Sequence, residues 1–278
     1  MLNVSVEFSA MQLFVGFGLA SLAAILAFRF GVLSGSGVLA AVAIGGLTYG
    51  LGGLPWAILL LLFFASSSLL SRAFVPRKRE VAANFAKGGR RDWAQVAANG
   101  GAGVLALVFA ASGWVSIPIA WAAFAGVIAT VNSDTWATEM GVLNSRQPFL
   151  ITSRKRVPAG TSGAVSLLGY LAALAGALLI AVVAAFLLAN AALAAKLILV
   201  LTLAGLLGSS IDSLLGATLQ AIYYCPHCKK ETERHPLHYC GTQTTFHRGW
   251  SWLNNDWVNF LSSALAGLLA AAIFSIWL

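Results

Sequence analysis

Apolar runs of about 20 residues recur from one end of this chain to the other, and that recurrence limits what it can fold into. A run of that length crosses the roughly 30 Å hydrocarbon core of a bilayer as one α-helix. In lipid every backbone polar group must be satisfied within the protein, which leaves helices or closed barrels as the spanning structures. Reading the runs against Gly, Pro and polar breakers gives eight candidate helices at 8–29, 32–53, 55–73, 93–112, 115–135, 161–189, 193–221 and 256–277. Gly-Gly-Leu-Pro at 52–55 and Ser112-Gly113-Trp114 read as tight turns between them. The expected fold class is therefore all-α, a polytopic membrane bundle of about eight helices in a single domain covering 1–278. A chain that is 59% hydrophobic and 9% charged, with mean hydropathy +0.84, leaves no material for a large soluble domain. No Lys or Arg precedes Arg29, so the first run reads as a membrane helix rather than a cleavable signal.

The net charge of +8 is unevenly distributed. Three polar connections, 74–92, 140–160 and 222–255, fall on one side of an eight-helix bundle. That side, with the turn near Arg29, carries sixteen of the seventeen Lys and Arg residues, and Lys196 lies opposite. Basic loops of this kind mark the cytoplasmic face, here of a cell inner membrane, and place both termini outside. The pattern is topogenic. No basic surface interleaved with aromatic residues points to nucleic acid. Small-residue spacings such as Gly46–Gly50, and the glycines at 160, 163, 169 and 176, suit close helix packing.

Against this background, four acidic residues lie in or beside apolar segments, where an ionisable group is costly and points to function. Asp134 and Glu139 belong to Asn132-Ser133-Asp134-Thr135-Trp136-Ala137-Thr138-Glu139. Five residues apart, they diverge by roughly 140° on an ideal helix, so sharing one site requires the helix to end or bend, which Gly141 would allow. Asp212 sits alone in Gly208-Ser209-Ser210-Ile211-Asp212-Ser213, and Asp256 in Asn254-Asn255-Asp256-Trp257-Val258-Asn259. Carboxylate, hydroxyl and amide oxygens together suit a hard cation. Capping of the last helix accounts for one residue of the third cluster, not for Asn255, Asp256 and Asn259 together.

Basic groups flank these clusters. Lys87-Gly88-Gly89-Arg90-Arg91 leads into a helix carrying Gln95 and Asn99 on one face. Guanidinium groups at a helix N-terminus make a phosphate receptor, and Arg90 and Arg91 are the candidates. Arg77-Lys78-Arg79 reads as topogenic only. Lys155, followed by Pro158-Ala159-Gly160-Thr161-Ser162-Gly163, forms a second basic-then-glycine approach to a helix. No Walker-type Gly-rich motif is present. In the 222–250 loop, Cys225, Cys228, His238 and Cys240 make a plausible tetrahedral zinc set, with His235 and His247 as alternatives for the fourth ligand. Four protein ligands imply a closed, structural site.

In this order the segments resemble the phytyl-phosphate kinase family of integral membrane proteins, which includes the animal transmembrane protein 19 group and many prokaryotic members. The matching residues are Gln95-Val96 with Ala98-Asn99-Gly100, the run Ser133 to Glu139, Gly160-Thr161-Ser162-Gly163, Asp212 to Gln220, and Asn255-Asp256 with Val258-Asn259. The resemblance covers roughly 85–278, and the helices of 1–73 carry no motif. The cysteine-rich loop looks like a feature of prokaryotic members. What the resemblance implies is phosphorylation of an isoprenyl monophosphate, phytyl or geranylgeranyl, to the diphosphate by a nucleoside triphosphate such as CTP. On that reading Asp134, Glu139, Asp212 and Asp256 contact Mg²⁺ or its waters, aided by Asn132, Asn255 and Asn259. Arg90, Arg91 and Lys155 bind phosphates, with Gln95, Asn99, Thr161 and Ser162 beside them. The lipid tail is expected near Trp93, Trp121 and Trp136. Two other activities suit the same residues: cytidylyl transfer to a lipid phosphate, and cation-coupled transport.

Overall fold

A computed structural model describes residues 4–6, 9–73 and 89–278; Arg77-Lys78-Arg79 and Lys87-Gly88 lie outside the described residues. Among the described residues there are seven helices long and apolar enough to cross a membrane. They are α1 (Ala10–Arg29), α2 (Gly35–Ala73), α3 (Trp93–Ala111), α4 (Ile117–Gly141), α5 (Leu167–Leu188), α6 (Ala191–Thr218) and α7 (Asn255–Ser275). The protein is a multi-pass helical membrane protein.

The count of seven against eight expected spans has one cause. α2 runs for 39 residues but is broken at Gly53, whose φ of 71° and ψ of −159° are not helical. Its two arms fold back on each other: Ala41, Ile44 and Gly45 of the first and Leu60, Leu61 and Phe64 of the second border the same small cavity. The sequence-expected turn at 52–55 is therefore present, with glycine taking a backbone conformation that other residues adopt only at a cost.

α4 is the central helix. From Ala120 to Ser133 almost every residue is buried, the mark of a helix surrounded on all sides. The outer helices instead show one apolar stripe to the lipid, as with Leu171, Leu174 and Leu178 on α5 and Leu199, Leu203 and Leu207 on α6. Small residues let them approach α4. A methyl group placed on Gly208 of α6 would lie 2.3 Å from Thr130, and one on Gly267 of α7 would lie 2.6 Å from Val127. Dispersion between closely packed backbones is what drives helix association where lipid removes the hydrophobic term.

One end of the bundle is closed by aromatic packing. Trp56 meets Trp121 edge-on at 5.0 Å and Phe124 at 5.1 Å. The Trp121 indole donates to the Ala184 carbonyl at 3.2 Å. Trp121 is fully buried there, so the tail position expected beside it is corrected: its face is occupied by protein. The opposite end carries two small β elements. A two-strand pair, β1 (Phe149–Leu150) and β2 (Ala164–Val165), joins α4 to α5, and an antiparallel ribbon joins α6 to α7. The ribbon consists of β3 (Ile222–Cys225), β4 (Lys230–Thr232) and β5 (Thr245–Arg248), with β3 in the middle.

Candidate active site

At the ribbon end, helix termini surround a cavity of about 820 Å³, inside the roughly 300–1,000 Å³ range of small-molecule sites. Asp134, Glu139, Asp212 and Asp256 all line it, and so do Arg91, Gln95, Asn99, Thr161, Ser162, Asn255 and Asn259. Three remaining candidates stand elsewhere. Arg90 and Lys155 are exposed and outside the lining, and Asn132 is buried in the bundle.

How Asp134 and Glu139 reach one cavity differs from expectation. α4 neither ends nor bends between them; it stays helical to Gly141. The two carboxylates leave opposite sides of the helix and the cavity wraps around its end. Asp134 faces α6, where Ser209 Oγ donates to its Oδ1 at 3.2 Å, and Glu139 faces α2, where Ser71 Oγ donates to its Oε1 at 2.6 Å. Across the cavity, Ser262 Oγ of α7 donates to Asp212 Oδ2 at 3.2 Å, and Asp212 lies within the electrostatic field of Asp134. Two carboxylates in one cavity of a membrane bundle supply oxygen ligands of the kind a hard cation takes.

Arg91 supplies the opposite charge. Among the described residues that line the cavity it is the one Lys or Arg. The segment containing it is zipped to the α1–α2 turn: Arg91 N–H donates to the Val32 carbonyl at 2.8 Å, and Ser34 N–H to the Arg91 carbonyl at 3.0 Å. This pairing, invisible in the sequence, turns Arg91 inward while Arg90 stays exposed. The guanidinium donates to Ser67 Oγ at 2.9 Å and rests on the rings of Phe63 and Phe64 at 5.4 and 5.5 Å. Burial lowers its pKa to about 10, which leaves it cationic at neutral pH.

The turn before α5 packs directly on α6. Gly163, at φ +79°, has Ala217 N and Ser213 O where a Cβ would come within 2.6 Å of each. That contact carries Ser162 to Gln220, whose Oε1 accepts from Ser162 Oγ at 3.0 Å and whose Nε2 donates to Glu233 at 2.8 Å. Sequence reading missed this link, together with Ser67, Ser71 and Ser262; Ser209 it placed in the Asp212 cluster, without the bond to Asp134. It also treated Asn132 as a site residue. Asn132 instead ties three helices: Ser66 Oγ donates to its Oδ1 at 2.9 Å, and its Nδ2 donates to the Gly176 carbonyl at 2.8 Å.

In the ribbon, Cys225, Cys228, His238 and Cys240 present ligand atoms that all lie within 4.8 Å of one another. Tetrahedral thiolate ligation with metal–sulfur bonds of about 2.3 Å needs sulfur–sulfur edges of about 3.8 Å. Cys225 Sγ and Cys240 Sγ are 3.7 Å apart, and His238 Nδ1 is 3.2 Å from Cys240 Sγ. Hydrogen bonding to Thr242, and then to His238, lowers the Cys240 thiol to about 5, toward the thiolate a metal takes. This cluster would hold one metal ion, and His235 and His247 are not part of it. His235 instead stacks on Tyr223 at 4.3 Å, and both border the cavity with Glu233.

A family described as integral membrane protein DUF92 has a sequence model that matches residues 18–267. The chain is 36% identical over 239 residues to Protein PGR of Arabidopsis thaliana, covering 79% of this chain and 81% of the relative. It is 28% identical over 265 residues to an uncharacterized membrane protein of Methanocaldococcus jannaschii, covering 95% and 94%. To Protein VTE6, chloroplastic, of Arabidopsis thaliana it is 27% identical over 241 residues, covering 86% of this chain and 64% of the relative. No solved structure matches the chain.

Proposed function

The chain belongs to the DUF92 family of integral membrane proteins, and on that premise we propose that it is a membrane-embedded, metal-dependent kinase. Its substrate is an isoprenyl monophosphate, phytyl or geranylgeranyl, which it converts to the diphosphate with CTP or another nucleoside triphosphate. The observation that carries this reading is the meeting of five carboxylates, those of Asp134, Glu139, Asp212, Glu233 and Asp256, and the Arg91 guanidinium in the wall of a single cavity.

The chemistry asks little else of the protein. A monophosphate oxygen is already nucleophilic. It attacks the terminal phosphorus of the nucleotide, the bond to the bridging oxygen breaks, and the nucleoside diphosphate leaves, without a strong general base. Positioning and charge neutralisation make up most of the catalysis. Asp134 and Asp212 would hold Mg²⁺, and Glu139 and Asp256 would serve it as further ligands or through its waters. When bound, that ion would neutralise phosphate charge. Arg91 binds a phosphate with its planar fork of donors, and Gln95, Asn99, Asn255, Asn259, Thr161 and Ser162 orient the remaining oxygens. Arg90 and Lys155, outside the lining, act at most on the approaching anion.

The Cys225, Cys228, His238 and Cys240 cluster is read as a structural Zn²⁺ site. It would fix the ribbon whose Tyr223, Glu233 and His235 complete the cavity wall. The cavity end is placed toward the cytoplasm of a cell inner membrane, with both termini outside, because the Lys and Arg residues concentrate at that end.

Product analysis tests the proposal. Purified protein with Mg²⁺, CTP or ATP, and phytyl or geranylgeranyl phosphate should yield lipid diphosphate and nucleoside diphosphate. A nucleotidyl-lipid with pyrophosphate would instead assign cytidylyl transfer. Ion-dependent uptake into vesicles without turnover of any lipid phosphate would assign transport.

A further inference from the structure

A second cavity, of about 100 Å³, lies behind Arg91 and Asn99, and those two residues line both cavities. Its other walls are apolar: Ala24 of α1, Ala41 and Ile44 of the first arm of α2, Leu61 and Phe64 of the second arm, and Gly100 of α3. The rings of Phe63 and Phe64 form part of this wall and also carry the Arg91 guanidinium. A charge-bearing wall thus separates a polar chamber from an apolar one at a single pair of residues. Ala23 and Leu61, both exposed on the lipid-facing surface, border the small cavity as well, so it opens sideways toward the bilayer.

We infer that this apolar chamber receives the first part of the hydrocarbon chain of a lipid monophosphate whose headgroup lies on the Arg91 side. The inference rests on the lipid-phosphate reading above and adds where the chain goes and how it arrives. An apolar protein cavity of about 150 Å³ accepts a benzene-sized molecule. A chamber of about 100 Å³ therefore takes on the order of one five-carbon unit, and the rest of the chain leaves between Ala23 and Leu61 into lipid. The substrate reaches the site laterally, between α1 and the second arm of α2, without crossing water. On this view the N-terminal helices, which carry no motif, have two tasks. They seat Arg91 through Val32 and Ser34, and they supply three of the chamber's four walls. The chamber also replaces the tail position expected beside Trp121, which is fully buried.

Two experiments test this. The first uses the unmodified protein and a geranylgeranyl monophosphate carrying a diazirine in its first five-carbon unit; after illumination, crosslinks should map to 20–27, 41–45 or 60–64. The second uses Ala41→Phe and the milder Ala20→Leu, which narrow the chamber from partly exposed wall positions. Both should raise KM for geranylgeranyl phosphate about tenfold or more, the scale on which an apolar pocket discriminates by a few carbons, and raise it likewise for dimethylallyl phosphate, whose single five-carbon unit occupies the same chamber. Lipid phosphate turnover with crosslinks confined to other helices, or with KM unmoved in both variants, overturns the chamber and leaves the kinase reading standing. Failure to bind or turn over any lipid phosphate overturns both.

Discussion

Replacing Asp212 by Asn separates the cost of a carboxylate from its use. Ser262 Oγ donates to Asp212 Oδ2 at 3.2 Å, and an asparagine oxygen accepts the same bond, so shape and hydrogen bonding survive while one negative charge goes. Asp212 sits in the field of Asp134. Like charges sharing one site repel by on the order of 2–4 kcal/mol at an effective dielectric near 20. Metal-free D212N should therefore be more stable than the parent by up to that amount. At roughly 2–4 °C per kcal/mol for a chain of this size, its Tm in EDTA should rise by on the order of 5–10 °C. With Mg²⁺ the order should reverse or close. A site filled at 100 times its Kd adds about 2.7 kcal/mol to the parent, and D212N should lose most of that increment. Turnover should fall about 10²- to 10³-fold, as when one preorganised charge leaves an active site. The assay is thermal unfolding of purified protein in detergent, with and without Mg²⁺, alongside product formation. A D212N protein that melts below the parent in EDTA and keeps the full Mg²⁺ shift would show that Asp212 serves as a hydrogen-bond acceptor, and the cation site would have to be abandoned.

Other outcomes follow from the same geometry. Elemental analysis of purified protein should find about one zinc per chain, and Cys225→Ser should lose it and lower the Tm; natively folded, active protein without zinc would end that assignment. Gly163→Ala should cost about 2–6 kcal/mol, from positive φ and overpacking against the Ala217 backbone, with its Cβ 2.6 Å from Ala217 N. Gly216→Ala, whose Cβ meets only the rotatable Ser162 hydroxyl at such range, 2.7 Å, should cost under about 1.5 kcal/mol; equal melting temperatures for the two variants would contradict the packing. Arg91→Lys should lower kcat/KM by about 10²-fold through loss of the planar fork, with Arg90→Lys close to the parent. Equal losses in the two would remove the distinction between these neighbours.

The acidic clusters and the Cys/His quartet were legible in the sequence because each violates its surroundings. A carboxylate in an apolar run has few explanations, and Cys-x-x-Cys with a nearby His-x-Cys has few alternatives. The helix bundle followed from hydropathy for the same reason. What stayed hidden has ordinary local chemistry. Ser67 and Ser71 lie in a serine-containing helix, and intramembrane serines commonly bond their own helix's carbonyls; Ser67 does so to Phe63 at 2.6 Å while also receiving Arg91. Nothing in the pair Arg90-Arg91 says which one turns inward, since a backbone pairing 58 residues away, at Leu33, decides it. Asn132 is polar and adjacent to the site motif, yet its amide is consumed by α2 and α5. Sequence spacing measures position along a helix; it does not measure which neighbour claims the side chain.

The helix ends set the electrostatics in which the proposed pairing of the acids with a cation, and of Arg91 with an anion, would act. α3, α5 and α7 present their N-termini to the cavity, through Gln95, Gly169 and Asn255, while α4 and α6 present their C-terminal portions, through Glu139 and Asp212. A helix carries roughly half a positive charge at its N-terminus and half a negative one at its C-terminus. Asp256, in the first turn of α7, is stabilised by its own helix. Glu139, in the last turn of α4, faces carbonyls that are already negative, and Asp134 and Asp212 lie deeper, beyond reach of any N-terminal dipole of their own helices. Asp134, Glu139 and Asp212 each accept a hydrogen bond from a serine of another helix. Arg91 stands at the other pole, where α3 begins. The cavity thus sets the Asp134 and Asp212 carboxylates of α4 and α6 against the Arg91 guanidinium that precedes α3. On the proposed function, a polyphosphate with its divalent ion would bring both charges to the cavity in one ligand.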